Sequence, residues 1–213
     1  MEKLEIGDRI AYYAESFVGT PYDTSPLGAY VTNKVIVYDT AVDCMYHVFR
    51  SVELALGSND KDPIEIALEK RFLTHGILDN NGNVLNYDQR FQYAEDMIVS
   101  GLWGINITTN LSAETIKIDN CGFDIIPHEK IPQIIHSLKS GDIIYFVKSV
   151  EKRVVGEIIG HLGIIKIEDN GAFLIHASGK KGSDSIGGMV KKVSLVEYCH
   201  QMSFIGVNVT RFE

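Results

Sequence analysis

One cysteine and two distant histidines are the residues of this chain whose types and order suggest covalent chemistry. Cys44 follows Asp43 at the start of a predicted amphipathic helix, and His161 and His176 come far downstream in predicted strands. A thiol in the first turn of a helix faces free N–H groups and the positive end of the helix dipole, which favour the thiolate. The order predicts a cysteine nucleophile with a histidine base, as in acyl transfer. The alternative is a buried core cysteine.

The surroundings of the histidines favour His161 as the base. Gly160 and Gly163 flank it and leave room for a second group beside its ring. His176 is the candidate orienting residue, because a second imidazole can accept from the ring N–H of the first; its alternative is a core histidine. His47, one helical turn after Cys44, competes as the base, but a side chain there usually points past the thiol.

A metal site is the third possibility for the same three residues, since cysteine and histidine are zinc ligands. The sequence offers no fourth ligand, so we expect no metal and no cofactor. Three cysteines at wide spacing form neither a paired metal motif nor a disulfide framework, and Cys44 is predicted to be free.

Composition limits the partners and the size of the fold. The chain has 213 residues, 45% of them hydrophobic, which fits a single domain over 1–213. A net charge of -8 without a basic block argues against nucleic acid as a partner. The first residues lack the pattern of a signal peptide, and no apolar run approaches the roughly 20 residues of a membrane span.

The elements that would position Cys44 are two helices. Apolar residues at helical spacing predict a first helix that ends at Gly19 and Pro21. Asp39 or Thr40 can cap the next helix, which runs to Gly57 and holds Cys44 in its first turn.

The middle of the chain, 58–130, is predicted to be a helical insertion with a connecting segment. Helices are expected over 63–72 and 88–99, with a turn over 79–83 between them. A further short helix is expected over 132–138.

The C-terminal third is predicted to be antiparallel sheet with one helix. Strands are expected over 143–147, 158–167, 172–177, 187–193 and 204–209, and a helix over 194–201. Asp169-Asn170-Gly171 is a strong hairpin turn, and counting from it pairs Ile167 with Ala172. The rings of His161 and His176 should therefore approach each other on one face of the sheet.

Several short motifs follow one another in a specific order. They are Gly19-Thr20-Pro21-Tyr22, Val42-Asp43-Cys44, Gly141-Asp142-Ile143-Ile144, Gly160-His161-Leu162-Gly163-Ile164 and His176-Ala177-Ser178. This order resembles that of the NlpC-type, papain-like cysteine peptidases of cell walls. Within them the chain resembles the N-acetylmuramoyl-L-alanine amidase-like branch, whose insertion motif is similar to 90–96 and whose closing strand is similar to 206–211. The resemblance implies an α+β papain-like fold, with the nucleophile helix packed on an antiparallel sheet and a helical insertion.

The resemblance also implies roles for individual residues. Cys44 would be the nucleophile, His161 the general base and then acid, and His176 the orienting residue. The Tyr22 hydroxyl would lie near the oxyanion; the alternative for Tyr22 is an aromatic that packs in a turn. Substrate binding is expected of five residues: Arg90, Tyr93, Asp96, Asp43 and Ser178. Asp43 would also set the start of the helix.

This chain departs from the branch at positions around the site rather than at the catalytic residues. Tyr46 stands where a small hydroxyl residue is usual, and Gln92, Met97 and Ile159 replace a histidine, a tryptophan and an acidic residue. These departures bear on substrate specificity.

The activity that the resemblance implies is hydrolysis of the amide between N-acetylmuramic acid and L-alanine in muropeptides, including 1,6-anhydro forms. An endopeptidase that cuts between D-glutamate and the diamino acid is an alternative, as are an acyltransferase and an inactive wall-binding module. Peptidoglycan fragments would be the partner. The resemblance implies the periplasm or cell envelope, and the lack of a signal peptide leaves the cytoplasm open.

Overall fold

A computed structural model describes residues 4–57, 61–118, 122–153, 157–179 and 188–213. Cys121 and the first residue of the strand expected over 187–193 lie outside the described residues. The fold is α+β, with one antiparallel sheet between two groups of helices. No helix in the described part of the chain is long and apolar enough to cross a membrane.

The helices are numbered in chain order. They are α1 (Ile6–Ser16), α2 (Ala29–Thr32), α3 (Cys44–Leu56), α4 (Pro63–Lys70), α5 (Ala94–Ser100), α6 (Thr108–Leu111), α7 (Ile131–Ile134) and α8 (Leu195–Gln201). Short 3₁₀ turns occupy Tyr87–Gln89, His128–Lys130, Ile135–Ser137 and Val150–Lys152.

The strands are β1 (Ile105–Asn106), β2 (Ile116–Lys117), β3 (Asp124–Pro127), β4 (Ile143–Val147), β5 (Ile159–Glu168), β6 (Gly171–Ser178), β7 (Met189–Ser194) and β8 (Gly206–Arg211). Their order in the sheet is β2-β3-β8-β4-β5-β6-β7. In addition, β1 pairs with Thr210 and Arg211 at the end of β8. The predicted C-terminal strands are confirmed. So is the predicted register of the β5–β6 hairpin, in which Ile167 pairs with Ala172.

Both faces of the sheet are covered, which is why β4 is apolar at every position. Tyr145 and Val147 of β4 belong to the core beneath α1 and α3. Ile144 and Phe146 belong to a second core beneath α7 and α8. A side chain on β5 or β6 therefore faces one helix group or the other according to its place in the alternation.

The helix that carries Cys44 begins at Cys44 itself, three to four residues after the start that a cap at Asp39 or Thr40 predicts. Asp43 is the N-cap, and its carboxylate accepts a hydrogen bond from the Tyr46 amide at 2.7 Å. The role expected of Asp43 at the helix start is confirmed. The prediction that Asp39 or Thr40 is the cap is wrong. The Asp39 carboxylate instead accepts hydrogen bonds from Arg50 and from the Tyr46 hydroxyl.

The segment 61–118 contains less helix than its sequence suggests. The predicted helix over 63–72 is confirmed as α4, but α5 begins only at Ala94. The prediction of one helix over 88–99 is wrong at its start, because a 3₁₀ turn over Tyr87–Gln89 is followed by extended chain in which the Phe91 amide donates to the Arg71 carbonyl. Between α5 and α7 the chain also adds β1, β2 and β3 to the sheet.

A buried charge network joins α3 to the end of α4. The Arg71 guanidinium, 1% exposed, binds both oxygens of Glu53, with Nε–Oε1 at 2.5 Å and Nη2–Oε2 at 2.7 Å. It also donates to the Ile36 carbonyl and stacks over the Tyr46 ring at 4.8 Å. Arg50 bridges Glu53 to Asp39, so two cations offset two carboxylates.

Replacing one member of this network should cost far more stability than breaking a surface ion pair. Arg71→Met leaves the Glu53 carboxylate buried without its main partner and should lower the free energy of unfolding by about 3–5 kcal/mol. Lys61→Met, which breaks the exposed pair with Glu69, should change it by less than about 1 kcal/mol. Urea denaturation measures both. Equal losses in the two variants would contradict this assignment, and adding Glu53→Leu to Arg71→Met should recover most of the loss.

Candidate active site

Cys44 is the first residue of α3, and its thiol lies against the middle of the sheet. Its side chain is partly exposed. The sulfur accepts hydrogen bonds from the backbone of Leu162, in β5, and of Met45, in the first turn of its own helix. Because the Leu162 nitrogen belongs to the peptide unit that follows His161, the thiol is held beside that histidine's backbone.

A gap between β5 and β6 makes the Leu162 amide available to the sulfur. The β5–β6 ladder runs from Glu168–Gly171 only as far as Ile164–Ile175. In β5 the Ile165 amide bonds toward β4, at Asp142, so by alternation the Leu162 amide points toward β6. Beyond the end of the ladder this amide donates to Cys44 instead of to a strand.

The two histidines come together on the face of the sheet opposite α3. His176 alternates with Ile175 and Ala177, which belong to the core beneath α3. His161 Nε2 and His176 Nδ1 lie 2.7 Å apart, so one ring donates a hydrogen bond and the other accepts it. The predicted approach of the two rings is confirmed. Gly163 permits it, since a Cβ at this position would lie 3.0 Å from the His176 Cβ and 2.7 Å from the Ile175 carbonyl oxygen.

Burial keeps His176 neutral. Its side chain is 4% exposed, and burial, with smaller contributions from His47 and Lys191, lowers its pKa to about 4. At neutral pH this ring therefore carries one proton and has one nitrogen free to accept.

Tyr22 lies beside Cys44. Its backbone forms an isolated bridge with Val42, two residues before Cys44, and its amide donates to the Gly188 carbonyl at 2.8 Å. Burial, and then the proximity of Cys44 and Asp43, raise the pKa of its hydroxyl. The hydroxyl therefore stays protonated and is a hydrogen-bond donor near the thiol.

The acidity of the thiol differs from its sequence-based expectation. Burial is the largest influence, and together with the Asp43 carboxylate it raises the pKa of the Cys44 thiol to about 12, despite the opposing backbone hydrogen bonds. The backbone N–H groups of Met45 and Cys44 at the helix start do favour the thiolate, as expected, but burial opposes them. Desolvation of the anion outweighs the N–H groups of one helical turn.

His47 is a core residue and does not compete as the base. It is fully buried, its Nε2 donates to the Ala14 carbonyl of α1 at 3.1 Å, and its ring packs edge-on against Phe17. Burial lowers its pKa to about 4. The side chain thus points from α3 into α1, as expected for a residue one turn from the nucleophile.

The five predicted substrate-binding residues lie at helix starts, in the chain before α5 and at the end of β6. Asp43 and Asp96 cap α3 and α5, since each accepts a hydrogen bond from a backbone amide of its helix start. Arg90 donates to the Tyr87 carbonyl, and Tyr93 is 37% exposed at the start of α5. Ser178 ends β6 opposite Met189, close to the pair of histidines.

Two residues of the site escaped sequence reasoning. The Tyr198 ring of α8 covers both histidines, with centroid distances of 6.0 Å to His161 and 4.9 Å to His176. The Glu95 carboxylate of α5 accepts hydrogen bonds from the amides of Ile158 and Ile159, directly before His161 in β5. Neither residue belongs to a local pattern that indicates these contacts, because each partner lies more than 20 residues away in sequence.

Metal binding finds no support among the residues that the structure describes. There, no group of three or more histidine, cysteine, aspartate or glutamate side chains is placed to hold an ion.

Comparison with solved structures identifies the fold. Crystal structures of an N-acetylmuramoyl-L-alanine amidase from Bacteroides uniformis are similar, with TM-scores of 0.68–0.72 and 20% identity; the alignments cover 96–98% of this chain and 98–99% of that one. A Bacteroides fragilis protein named as a candidate xylanase (TM-score 0.70, 22% identity, 95% and 100% of the two chains) is also similar. So is a Legionella pneumophila protein of the DUF1460 family (0.70, 18%, 97% and 88%).

These likenesses establish a shared fold over nearly the whole chain. No family model matches the sequence, and no curated protein matches it significantly. The similar structures also carry different names, so activity has to be argued from the site.

The raised pKa predicts slow alkylation of Cys44 at neutral pH. Iodoacetamide reacts with thiolates, so modification of the native protein should accelerate steeply as the pH rises above about 9. Peptide mass spectrometry at the Cys44 peptide measures the rate. Asp43→Asn keeps a capping side chain but removes the charge, and should raise the rate at pH 7. A rate that is fast and constant from about pH 6 to 9 would contradict a neutral thiol.

The buried His47 predicts a loss of stability in acid. Its pKa falls from 6.5 to about 4 on folding, so its contribution is complete above pH 6.5 and is lost as the pH falls toward 4. Between pH 6.5 and pH 4 the wild type should therefore lose about 3 kcal/mol more of its free energy of unfolding than His47→Gln loses. Urea denaturation at several pH values measures this. The control is His136→Gln, at an exposed position; parallel acid profiles for wild type and His47→Gln would contradict the prediction.

Proposed function

We propose that this chain is a cysteine amidase of the NlpC type, with a papain-like site, that cleaves the amide between N-acetylmuramic acid and L-alanine in muropeptides, including 1,6-anhydro forms. The observation that carries the proposal is the Cys44 sulfur held at the Leu162 amide, beside a His161 that is hydrogen-bonded to a neutral His176. The similarity in fold to a protein named as an N-acetylmuramoyl-L-alanine amidase supports the choice of bond.

The first step is attack by a thiol that loses its proton during the attack. His161 donates from Nε2 to His176 Nδ1, which leaves Nδ1 of His161 as the base. As this nitrogen takes the proton of Cys44, the sulfur bonds to the carbonyl carbon, and the carbonyl π electrons move to its oxygen. The raised pKa of the thiol makes the base essential, since little thiolate exists beforehand.

The developing oxyanion needs donors that are in place before the reaction. The protonated Tyr22 hydroxyl and the backbone N–H of Cys44 are the groups that we assign to it. The His161 imidazolium then gives its proton to the leaving nitrogen, the C–N bond breaks, and the L-alanine amine departs from a thioester.

Water completes the cycle by the same route. His161 takes a proton from a water molecule as the water oxygen attacks the thioester carbon. The C–S bond then breaks, the acid is released, and His161 returns the proton to the sulfur. His176 orients His161 throughout, and its low pKa keeps it a neutral acceptor.

The remaining assignments follow from this function. Residues 1–213 form one catalytic domain in which 58–130 are the insertion, and Arg90, Tyr93 and Ser178 contact the sugar or peptide. Asp43 and Asp96 act there chiefly by capping the helices that border the site. Peptidoglycan fragments are the substrate.

Defined muropeptides test the reaction. The wild type should release a sugar acid and an intact peptide that begins with L-alanine, identified by mass spectrometry. Cys44→Ala should lower kcat/KM by about 10⁴-fold, His161→Ala by about 10³-fold, and Tyr22→Phe and His176→Gln by about 10–100-fold. Cys199→Ala and His136→Ala are matched controls outside the site and should keep near wild-type activity.

The products separate this proposal from its alternatives. Cleavage between D-glutamate and the diamino acid would make the chain an endopeptidase, and transfer of the acyl group to an added amine would make it an acyltransferase. Binding without turnover in the wild type would indicate an inactive module. Turnover by Cys44→Ala would refute the cysteine mechanism. Alkylation rates do not decide among these, because the resting thiol is neutral.

A further inference from the structure

A recess lies at the turn between β4 and β5, and we call it the lysine pocket. It has a volume of about 280 Å³. Its lining residues are Lys148, Lys152, Gln201, Met202, Ser203 and Phe204. The lining therefore combines two ammonium groups, one of them paired with the Glu157 carboxylate, with polar side chains and an aromatic wall.

Aromatic packing connects this lysine pocket to His161. The Phe146 ring stacks against His161 with a centroid distance of 6.2 Å and against Phe204 at 5.2 Å. Lys148 also lies close to His161 in the fold, because its side chain packs over Gly160, the residue before His161. A Cβ at Gly160 would lie only 2.6 Å from the Lys148 Cε. The pocket is thus one aromatic ring away from the proposed base.

The positive charge of the pocket contrasts with the rest of the chain. The protein has a net charge of -8, yet 148–153 carries Lys148, Lys152 and Arg153 against a single carboxylate, Glu151. Lys148 is paired with Glu157 at 2.6 Å, but the two side chains are 21% and 37% exposed. A partly exposed pair of this kind contributes little net free energy, so an incoming carboxylate can replace Glu157 at small cost.

We propose that the lysine pocket binds a free carboxylate on the peptide part of the substrate. This rests on the proposed function for the identity of the scissile bond. An extended peptide advances about 3.3–3.6 Å per residue, so a carboxylate two to three residues beyond the bond lies about 7–10 Å from it. The Phe204 ring of the pocket lies within about 11 Å of the His161 ring, because Phe146 is 6.2 Å from one and 5.2 Å from the other. The site therefore selects acidic peptides over amidated ones.

Binding to an inert chain tests the pocket separately from catalysis. The probes are N-acetylmuramoyl-L-alanyl-D-glutamate and the same compound with both glutamate carboxylates converted to amides, titrated into Cys44→Ala. We expect the acid to bind about tenfold more tightly than the amide, because a charge-assisted hydrogen bond is lost in the amide. The preference should shrink with added salt.

Variants of the pocket locate the effect. In the Cys44→Ala background, Lys148→Gln with Lys152→Gln should bring the affinity for the acid down to that for the amide. Lys148→Arg with Lys152→Arg should retain the preference. The control Lys117→Gln with Lys139→Gln removes the same charge at exposed positions elsewhere and should also retain it.

Any of three results would overturn the proposal that the pocket binds a carboxylate. They are equal affinity for the acid and the amide, failure of Cys44→Ala to bind either probe, and an unchanged preference for the acid in the variant with Lys148→Gln and Lys152→Gln. Each is distinct from a failure of the proposed function. A wild-type protein that cleaves acid and amide equally well remains an amidase without this pocket. A protein that prefers the acid through the two lysines but cleaves neither retains the pocket without the activity.

Discussion

The ion pair between Glu53 and Arg71 is the interaction on which the arrangement of this protein depends. Helix α3 is enclosed by other elements, and Glu53 within it is fully buried. A carboxylate in that position is tolerable only with a cation that meets both of its oxygens. Arg71 supplies it from the end of α4 and is itself held by the Ile36 carbonyl and the Tyr46 ring. The helix that begins at Cys44 can therefore reach its position only when the following segment folds over it.

A second attachment ties the same segment to the other half of the site. Glu95 in α5 accepts hydrogen bonds from the first amides of β5, shortly before His161. One part of the segment thus fixes the helix of the thiol, and another fixes the strand of the imidazole. The segment between Cys44 and His161 in sequence therefore holds the helix of the thiol and the strand of the imidazole in their relative positions, which is a structural role.

Burial sets the chemistry of the site as much as residue type does. The gap between β5 and β6 lets the sulfur sit at the Leu162 amide, within the sheet, where an anion is poorly solvated. The same burial that raises the pKa of the Cys44 thiol lowers that of His176 and keeps the Tyr22 hydroxyl protonated. A neutral thiol, a neutral orienting imidazole and a protonated phenol are consistent with a reaction in which charge appears only as the carbonyl is attacked.

Local patterns in the sequence determined much of the fold. The Asp-Asn-Gly turn fixed the β5–β6 register, the apolar run at 143–147 marked a strand covered on both faces, and the order of Cys44, His161 and His176 indicated which residues to bring together. Only the tertiary structure decided the extended chain before α5, the partners of Tyr198 and Glu95, and the burial that raises the pKa of the Cys44 thiol. Turns, caps and alternation act over a few neighbouring residues and can be read from them. Burial and ion pairing depend on segments distant in sequence, and their energies exist only once those segments have packed.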